Sequence, residues 1–317
     1  MPSLFIYAHL DAPARAWLAT QPLGPEVYYA DKFALTATDR VAFRTAEVAF
    51  GNVPADWLAN APRLRWLQLE SVGFEYYQGL PAGAIPAGLR LTNLAGQFAA
   101  PAAETALAGL LALYRGLDQL IPAQAARTWC CLEVRPTMRV LHDSHVIVLG
   151  NGSIGRRLAE LLAAFRCRVQ TFARTSATAD LRTPAALDAA LPAADVVVCC
   201  LPKTAATRHL VHAARLARMK PTAIVVNIGR ASVVDTAALV RALRENRLGG
   251  AVIDVFDEEP LPSDHPLWTC PRTILTQHTG GGYADELLDK ARCFAANLAR
   301  YRAGQPVENV VDFARGY

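Results

Sequence analysis

The sequence predicts an α/β protein built from two doubly wound parallel-sheet units, and three observations carry that expectation. Short apolar runs alternate with helical stretches along the first hundred residues, a second series of the same kind begins at residue 145, and 52% of the 317 residues are hydrophobic. Alternating strands and helices point to a parallel sheet covered on both faces, and a chain of this length more often forms two cores than one.

In the first series, residues 4–7, 27–29, 47–50, 65–69 and 89–92 read as strands, with helices at 12–19 and 55–59. No glycine fingerprint occurs in this part. Residues 94–114 carry a single charge, Glu104, over a length that could span a bilayer. Gln97, Pro101 and Thr105 interrupt the run, and Leu107, Leu110, Leu111 and Tyr114 recur at helical spacing, so a buried helix starting near Pro101 is expected instead. The second series has strands at 145–149, 168–172, 196–199, 224–227, 250–254 and 273–276, which suits a doubly wound nucleotide-binding domain. Its helix 153–165 lines up Ile154, Leu158, Leu161, Leu162 and Phe165. A last helix, 284–303, follows Gly280-Gly281-Gly282 and presents Leu287, Leu288, Ala291, Phe294, Leu298 and Tyr301 on one side.

The net charge of +4 is mild, and no basic run interleaved with aromatics occurs, so neither nucleic acid nor a membrane is an expected partner, whereas a small anionic substrate is compatible. Seven cysteines without a CxxC spacing, and an N-terminus without a signal pattern, suggest reduced thiols in the cytoplasm. His209 and His212 could share a helix face, but no third ligand is apparent, so no metal is expected. His9, His142, His145 and His265 likewise read as surface or satisfied, partly buried side chains.

Gly150-Asn151-Gly152-Ser153-Ile154-Gly155 follows an apolar strand and opens an amphipathic helix. Gly150 allows the tight turn, Gly152 close approach of a pyrophosphate, and Gly155 close packing of helix on strand, with Ser153 and Ile154 starting the helix whose N-terminus meets the anion. The expected ligand is therefore a dinucleotide, read as a nicotinamide dinucleotide. The next strand ends in Ala173-Arg174-Thr175-Ser176, without the carboxylate that would bond a ribose 2′-hydroxyl. Arg174 can pair with a 2′-phosphate and Thr175 and Ser176 can donate to it, so NADP(H) is the expected cofactor, with NAD(H) left open.

Three residues follow later strand ends: Arg230 after 224–227, Glu259 after 250–254 and His278 after 273–276. Ligands collect at the carboxyl ends of such strands. Hydride delivery to a ketone leaves negative charge on oxygen, and a histidine can supply the proton. Glu259 beside it would stabilise the imidazolium, and the planar fork of Arg230 would hold a substrate carboxylate and polarise the carbonyl. Glu258 competes with Glu259 for the acidic role.

At these positions the chain resembles the D-isomer-specific 2-hydroxyacid dehydrogenase family. The resemblance rests on Val225-Val226-Asn227-Ile228-Gly229-Arg230, Asp254-Val255-Phe256-Asp257-Glu258-Glu259-Pro260-Leu261-Pro262, His265-Pro266-Leu267-Trp268 and Leu275-Thr276-Gln277-His278. It extends to the glycine motif, Leu201-Pro202-Lys203-Thr204, Ala103-Glu104 and Ser71-Val72-Gly73, and so covers nearly the whole chain. The family places its acid immediately before Pro, which favours Glu259. The resemblance implies a flavodoxin-like substrate domain, residues 1–97 completed by 284–317, with a Rossmann domain, 98–283, inserted and the two closing over the ligand. It also implies that Leu201, Pro202 and Ile228 border the cofactor, that Asp254 lies near the nicotinamide carboxamide, that the amides of Val72 and Gly73 meet the substrate carboxylate, and that the long helix helps form a homodimer. Reduction of a small 2-oxo acid, with glyoxylate and hydroxypyruvate as leading candidates, is the implied activity. A dinucleotide-sensing corepressor of the same fold, or formate or phosphite oxidation, are the alternatives. Ala231 after the arginine, Gln277 before the histidine, and Phe74-Glu75 after Gly73 depart from the family's usual residues, and the stretch to Tyr77 leaves the substrate pocket open.

Overall fold

The computed structural model describes residues 3–81 and 83–313. Two compact units emerge, one taking residues up to Gln97 together with those from Tyr283 onward, the other Phe98–Gly282.

The first unit holds β1 (Leu4–Ile6), β2 (Val27–Tyr29), β3 (Val48–Phe50), β4 (Trp66–Gln68) and β5 (Arg90–Thr92), all parallel in the order β2-β1-β3-β4-β5. Its helices are α1 (Ala12–Ala19), α2 (Ala37–Thr45) and the single turn α3 (Glu75–Gln78). Asp11 starts α1 by accepting the Ala14 N–H, with Pro13 in the first turn. Four expected strands shorten to three residues each. In the first, the N–H groups of Tyr7 and Ala8 both turn to Phe50 O, at 2.7 and 3.0 Å, so the chain leaves the ladder after Ile6. The expected helix at 55–59 is a 3₁₀ turn, Ala55–Asn60, because Pro54 at its start offers no side-chain acceptor to the free N–H groups. Helix α2, absent from the expectation, is set by a capping box between Thr36 and Asp39.

The second unit begins with α4 (Ala99–Tyr114), α5 (Leu117–Ala125) and the turn α6 (Cys131–Val134). There follow β6 (His145–Leu149), α7 (Ser153–Ala163), β7 (Arg168–Phe172), α8 (Pro184–Ala190), β8 (Val196–Cys199), α9 (Ala213–Leu216), β9 (Ile224–Asn227), α10 (Thr236–Arg244), β10 (Gly250–Ile253) and β11 (Thr273–Leu275). All six strands are parallel, ordered β11-β10-β9-β8-β6-β7. A single parallel bridge, Phe172 to Leu181, adds the stub of a further strand beyond β7. The order reverses between β6 and β8, which makes their carboxyl ends the topological switch point where doubly wound folds bind ligands. Helix α4 is buried along Ala102, Ala103, Ala106, Leu110 and Leu113, and among the described residues no helix is long and apolar enough to cross a membrane. Helix α7 stops at Ala163, short of the expected Phe165, because the chain reverses into the left-handed region at Arg166, φ +56°. The chain then returns to the first unit as α11 (Glu286–Arg302), whose Phe294 stacks on Phe50 with ring centroids 4.5 Å apart.

Candidate active site

Strand β6 delivers the glycine turn to the switch point. Gly150 adopts φ +124°, and a Cβ on Gly155 would stand 2.1 Å from Gly150 O, so only glycine lets α7 start this close to β6. A Cβ on Gly152 would meet nothing within 4 Å, and α7 begins at Gly152 with no side-chain cap. Its first-turn N–H groups are thus unclaimed by protein side chains and face the pole of the helix dipole that attracts anions. These features fit a pyrophosphate. Ser153 opens the helix and Ile154 packs into the core below it.

Beyond β7, Arg174 and Thr175 are exposed and Ser176 is half-buried. Among the described residues Arg174 has no acidic partner. The nearest carboxylate in sequence, Asp180, is engaged elsewhere, accepting from Thr171 N at 2.7 Å and Thr171 Oγ1 at 2.9 Å. Leu201 and Pro202 follow β8 directly, and Thr207 Oγ1 donates to Pro202 O at 2.7 Å. Ile228 is buried after β9 and donates its N–H to Cys199 O.

The three candidate chemical groups are all in this unit. Asn227, buried at the end of β9, donates from Nδ2 to Arg230 O at 3.1 Å, and Arg230 Nη1 donates to Gly229 O at 2.9 Å. The expected strands 250–254 and 273–276 end one residue early, because Asp254 and Thr276 have another task. The buried Asp254 accepts at Oδ1 from Thr276 Oγ1 (2.7 Å), Thr279 N (3.0 Å) and Gly280 N (2.9 Å), while its carbonyl accepts from His278 N at 2.6 Å. This single carboxylate ties down the loop that carries His278. Within it Gln277 and His278 lie at φ +51° and +56°, a conformation L residues seldom adopt without such anchoring.

His278 Nδ1 lies 2.7 Å from Glu259 Oε2, and Glu259 Oε1 accepts from Phe256 N at 2.9 Å. The glutamate is therefore fixed by its own loop and in turn holds the ring, leaving Nε2 for a ligand. Glu259 rather than Glu258 makes this contact. The side chain of His278 is 54% exposed. Val72 and Gly73, in the first unit, follow β4; Ser71 Oγ donates to Gly73 O at 2.7 Å and Asn93 Nδ2 to Val72 O at 2.8 Å, which holds that turn.

The other histidines divide. His209 sits in a turn at φ +46° and His212 precedes the short α9, so they do not share a helix face, and no group of three metal-ligating side chains occurs among the described residues. His142 pairs with the exposed Asp143, and His265 Nδ1 accepts from Leu267 N. His145 is buried with Nε2 against Gln170 at 2.7 Å, but its Nδ1 has no partner, contrary to the expectation of a satisfied side chain. Two residues that sequence reasoning passed over are Asn227, which fixes the Arg230 turn, and Asn151, whose Nδ2 donates to Ser176 Oγ and Thr178 Oγ1, both at 2.9 Å.

Comparison with known proteins agrees with this arrangement. Residues 107–280 match the model of the D-isomer specific 2-hydroxyacid dehydrogenase, NAD binding domain. The chain is 34% identical over 272 residues to a glyoxylate reductase of Aeropyrum pernix, covering 82% of this chain and 80% of that one. It is also 34% identical over 321 residues to glyoxylate/hydroxypyruvate reductase B of Pectobacterium atrosepticum, covering 98% of each. Among solved structures, a D-isomer specific 2-hydroxyacid dehydrogenase from Xanthobacter autotrophicus Py2 in complex with NADPH and MES superposes with a TM-score of 0.84 at 28% identity, over 100% of this chain and 99% of that one. With the switch-point glycine turn and the paired imidazole and carboxylate in place, the chain belongs to the D-isomer specific 2-hydroxyacid dehydrogenase family.

Proposed function

We propose that the chain reduces a small 2-oxo acid, with glyoxylate and hydroxypyruvate foremost, to the D-2-hydroxy acid, and prefers NADPH over NADH. The observation that carries the proposal is the 2.7 Å His278–Glu259 pair at the same strand ends as Arg230 and the glycine turn. The two reductases named above act, by their names, on these substrates. The first turn of α7 and Gly150–Gly155 would hold the pyrophosphate, with Leu201, Pro202 and Ile228 bordering the cofactor and Asp254 near its carboxamide end. The bound nicotinamide supplies the hydride.

Arg230 binds the substrate carboxylate and polarises the carbonyl, and His278 Nε2 gives its proton to the carbonyl oxygen as negative charge develops there. Glu259 keeps the ring oriented. For the cofactor, Arg174 carries the preference, with Thr175 and Ser176 as further donors to a 2′-phosphate.

A homodimer is the proposed assembly. Leu117, Ile121, Trp129, Leu132 and Val140 are all exposed along the segment after α4, Trp129 by 91%, and this exposed apolar surface supports the reading. All seven cysteines are free, which supports a reducing, cytoplasmic location.

The experiment is an NADPH-oxidation screen over glyoxylate, hydroxypyruvate, pyruvate, phenylpyruvate and 2-oxoisocaproate, repeated with NADH. Turnover is expected on at least one of the first two, faster with NADPH. Silence on every 2-oxo acid would move the assignment to another reaction of the fold.

A further inference from the structure

We infer that Asn151 is a positioning residue for cofactor selection, bracing the loop that carries Arg174 so that the guanidinium is held ready for a 2′-phosphate. The inference rests on the proposed NADPH preference and names the residue that makes it effective.

The loop from Arg174 to Ala179 leaves the sheet after β7 and returns at the Phe172–Leu181 bridge. Its base is closed by Ala173 N to Leu181 O at 3.1 Å, Leu181 N to Thr171 O at 2.9 Å, and the Asp180 carboxylate on Thr171. These bonds fix where the excursion begins and ends, but none reaches its tip. Asn151 does. Its Nδ2 donates both amide protons, one to Ser176 Oγ and one to Thr178 Oγ1, each at 2.9 Å, and those hydroxyls stand 3.1 Å apart. Asn151 is itself immobilised, since it lies between the glycines of the turn and its carbonyl accepts from Arg156 Nη1 at 3.1 Å. A side chain inside the pyrophosphate turn therefore reaches across from β6 and ties down the loop beyond the neighbouring strand.

The physical consequence concerns entropy. A polar surface loop free to move must be ordered when the phosphate arrives, at an entropic cost for each side chain immobilised. With two bonds from Asn151 already made, the Ser176 and Thr178 end of the loop is ordered beforehand, and the backbone that carries Arg174 has less freedom left to lose. An apolar residue at this position in the turn could supply neither bond.

The test is binding of adenosine 2′,5′-bisphosphate and of adenosine 5′-monophosphate by titration calorimetry to wild type, Asn151→Ala, Thr178→Val and Arg174→Ala, with hydrogen exchange of residues 174–178 in each. Asn151→Ala is expected to weaken the bisphosphate about three- to tenfold, with the monophosphate changed less than about twofold, and to speed exchange in the loop. Thr178→Val, which removes one of the two bonds, should fall between wild type and Asn151→Ala, and the double variant should be no worse than Asn151→Ala alone. If Arg174→Ala weakens the bisphosphate selectively and Asn151→Ala does not, the brace is refuted while the cofactor preference stands. If neither selectively weakens it, the preference itself fails. Equal weakening of both nucleotides by Asn151→Ala overturns the inference in favour of a general role in the turn.

Discussion

The two units are built alike and use their polar residues in opposite ways. Both are parallel sheets with a strand-order reversal, yet the core of the second unit is apolar from strand to strand, with Val146, Ile147, Val148, Val196, Val197, Val198, Val225 and Val226 all buried. In the first unit a chain of hydrogen bonds runs through the buried layer: Trp66 Nε1 to Thr92 Oγ1 at 2.8 Å, Thr92 Oγ1 to Gln68 Oε1 at 2.8 Å, and Asn297 Nδ2 to that same Gln68 oxygen at 2.9 Å. Gln68 also donates from Nε2 to Leu69 O and Asn93 O. In the second unit Arg230, Glu259 and His278 stand beyond strand ends, partly or fully exposed, beside the buried Asn227 and Asp254. The first unit places polar side chains inside, where they join the returning helix α11 to a sheet whose strands are only three residues long. Polarity that is half-exposed at a strand end reads as reactivity, and polarity fully paired within a core reads as assembly.

The largest effect expected from breaking that distinction is at a strand end. His278→Ala should lower kcat by about 10²–10⁴-fold, the span of a positioned general acid, with affinity for NADPH changed less than about threefold. Glu259→Gln should lower kcat by less, since the ring keeps a partner but loses the charge facing it. Wild-type turnover in His278→Ala would remove the proton donor from the mechanism.

The next effect lies in the polar core. Asn297→Ala takes a donor from Gln68 Oε1 and leaves the Glu308 N–H, now bonded to Asn297 Oδ1 at 2.9 Å, without its acceptor. Losing these two hydrogen bonds costs about 0.5–1.5 kcal/mol each, so urea unfolding followed by Trp57 and Trp66, which report on the first unit, should shift to lower midpoint, by about 1–3 kcal/mol in all. Dinucleotide affinity should be kept, because the site for it lies in the other unit. An unchanged midpoint would mean that the network is ornamental and that apolar packing alone, such as Phe294 on Phe50, holds α11 in place.

The same contrast explains what could be read from the residues alone. The inner strands β6, β8, β9 and β10 of the second unit are nearly continuous apolar runs bounded by turn residues, as sheets buried on both faces demand, and four of its six strands agree with expectation to the residue. The three-residue strands of the first unit, and helix α2 with its Thr36–Asp39 box, carry too little periodicity to mark their ends. At the site, the order of Arg230, Glu259 and His278 is a linear signal. The choice between Glu258 and Glu259 was open to local chemistry because it depends on how the loop after β10 turns, shown by Phe256 N on Glu259 Oε1. Asn151 gave no signal because its partners lie 25 and 27 residues downstream and meet it only through the pairing of β6 with β7. Asp254 was legible as a family position but not as the anchor of the His278 loop, which is a matter of three donors converging in space.

The smallest effect concerns acid, and it sharpens the comparison because Asp188 in the second unit and Asp39 in the first are held below the ordinary carboxylate range by different means. In the second unit, the hydrogen bond from Arg215 Nε, 2.6 Å away, lowers the Asp188 pKa most, helped by the charges of Arg215, Arg218 and His212 and opposed by burial. In the first unit, Asp39 is lowered chiefly by the Thr36 side chain and further by the Thr36 N–H and the Tyr28 hydroxyl, all neutral donors, again opposed by burial. Both groups are depressed in the folded state, so each contributes stability that is fully present above about pH 4, the unfolded value, and is lost as pH falls through the lowered one. Salt separates them. The Asp188 contribution depends on a full opposite charge at a partly exposed pair and should shrink in 1 M NaCl, where the screening length falls to about 3 Å, while the Asp39 contribution, made of neutral hydrogen bonds, should persist. Stability profiles of Asp188→Asn and Asp39→Asn from pH 7 to pH 2.5, at low and high salt, provide the check: the first should converge on wild type at high salt and the second should not. Equal salt sensitivity in the two variants would show that both units answer to acid through net charge rather than through these particular bonds.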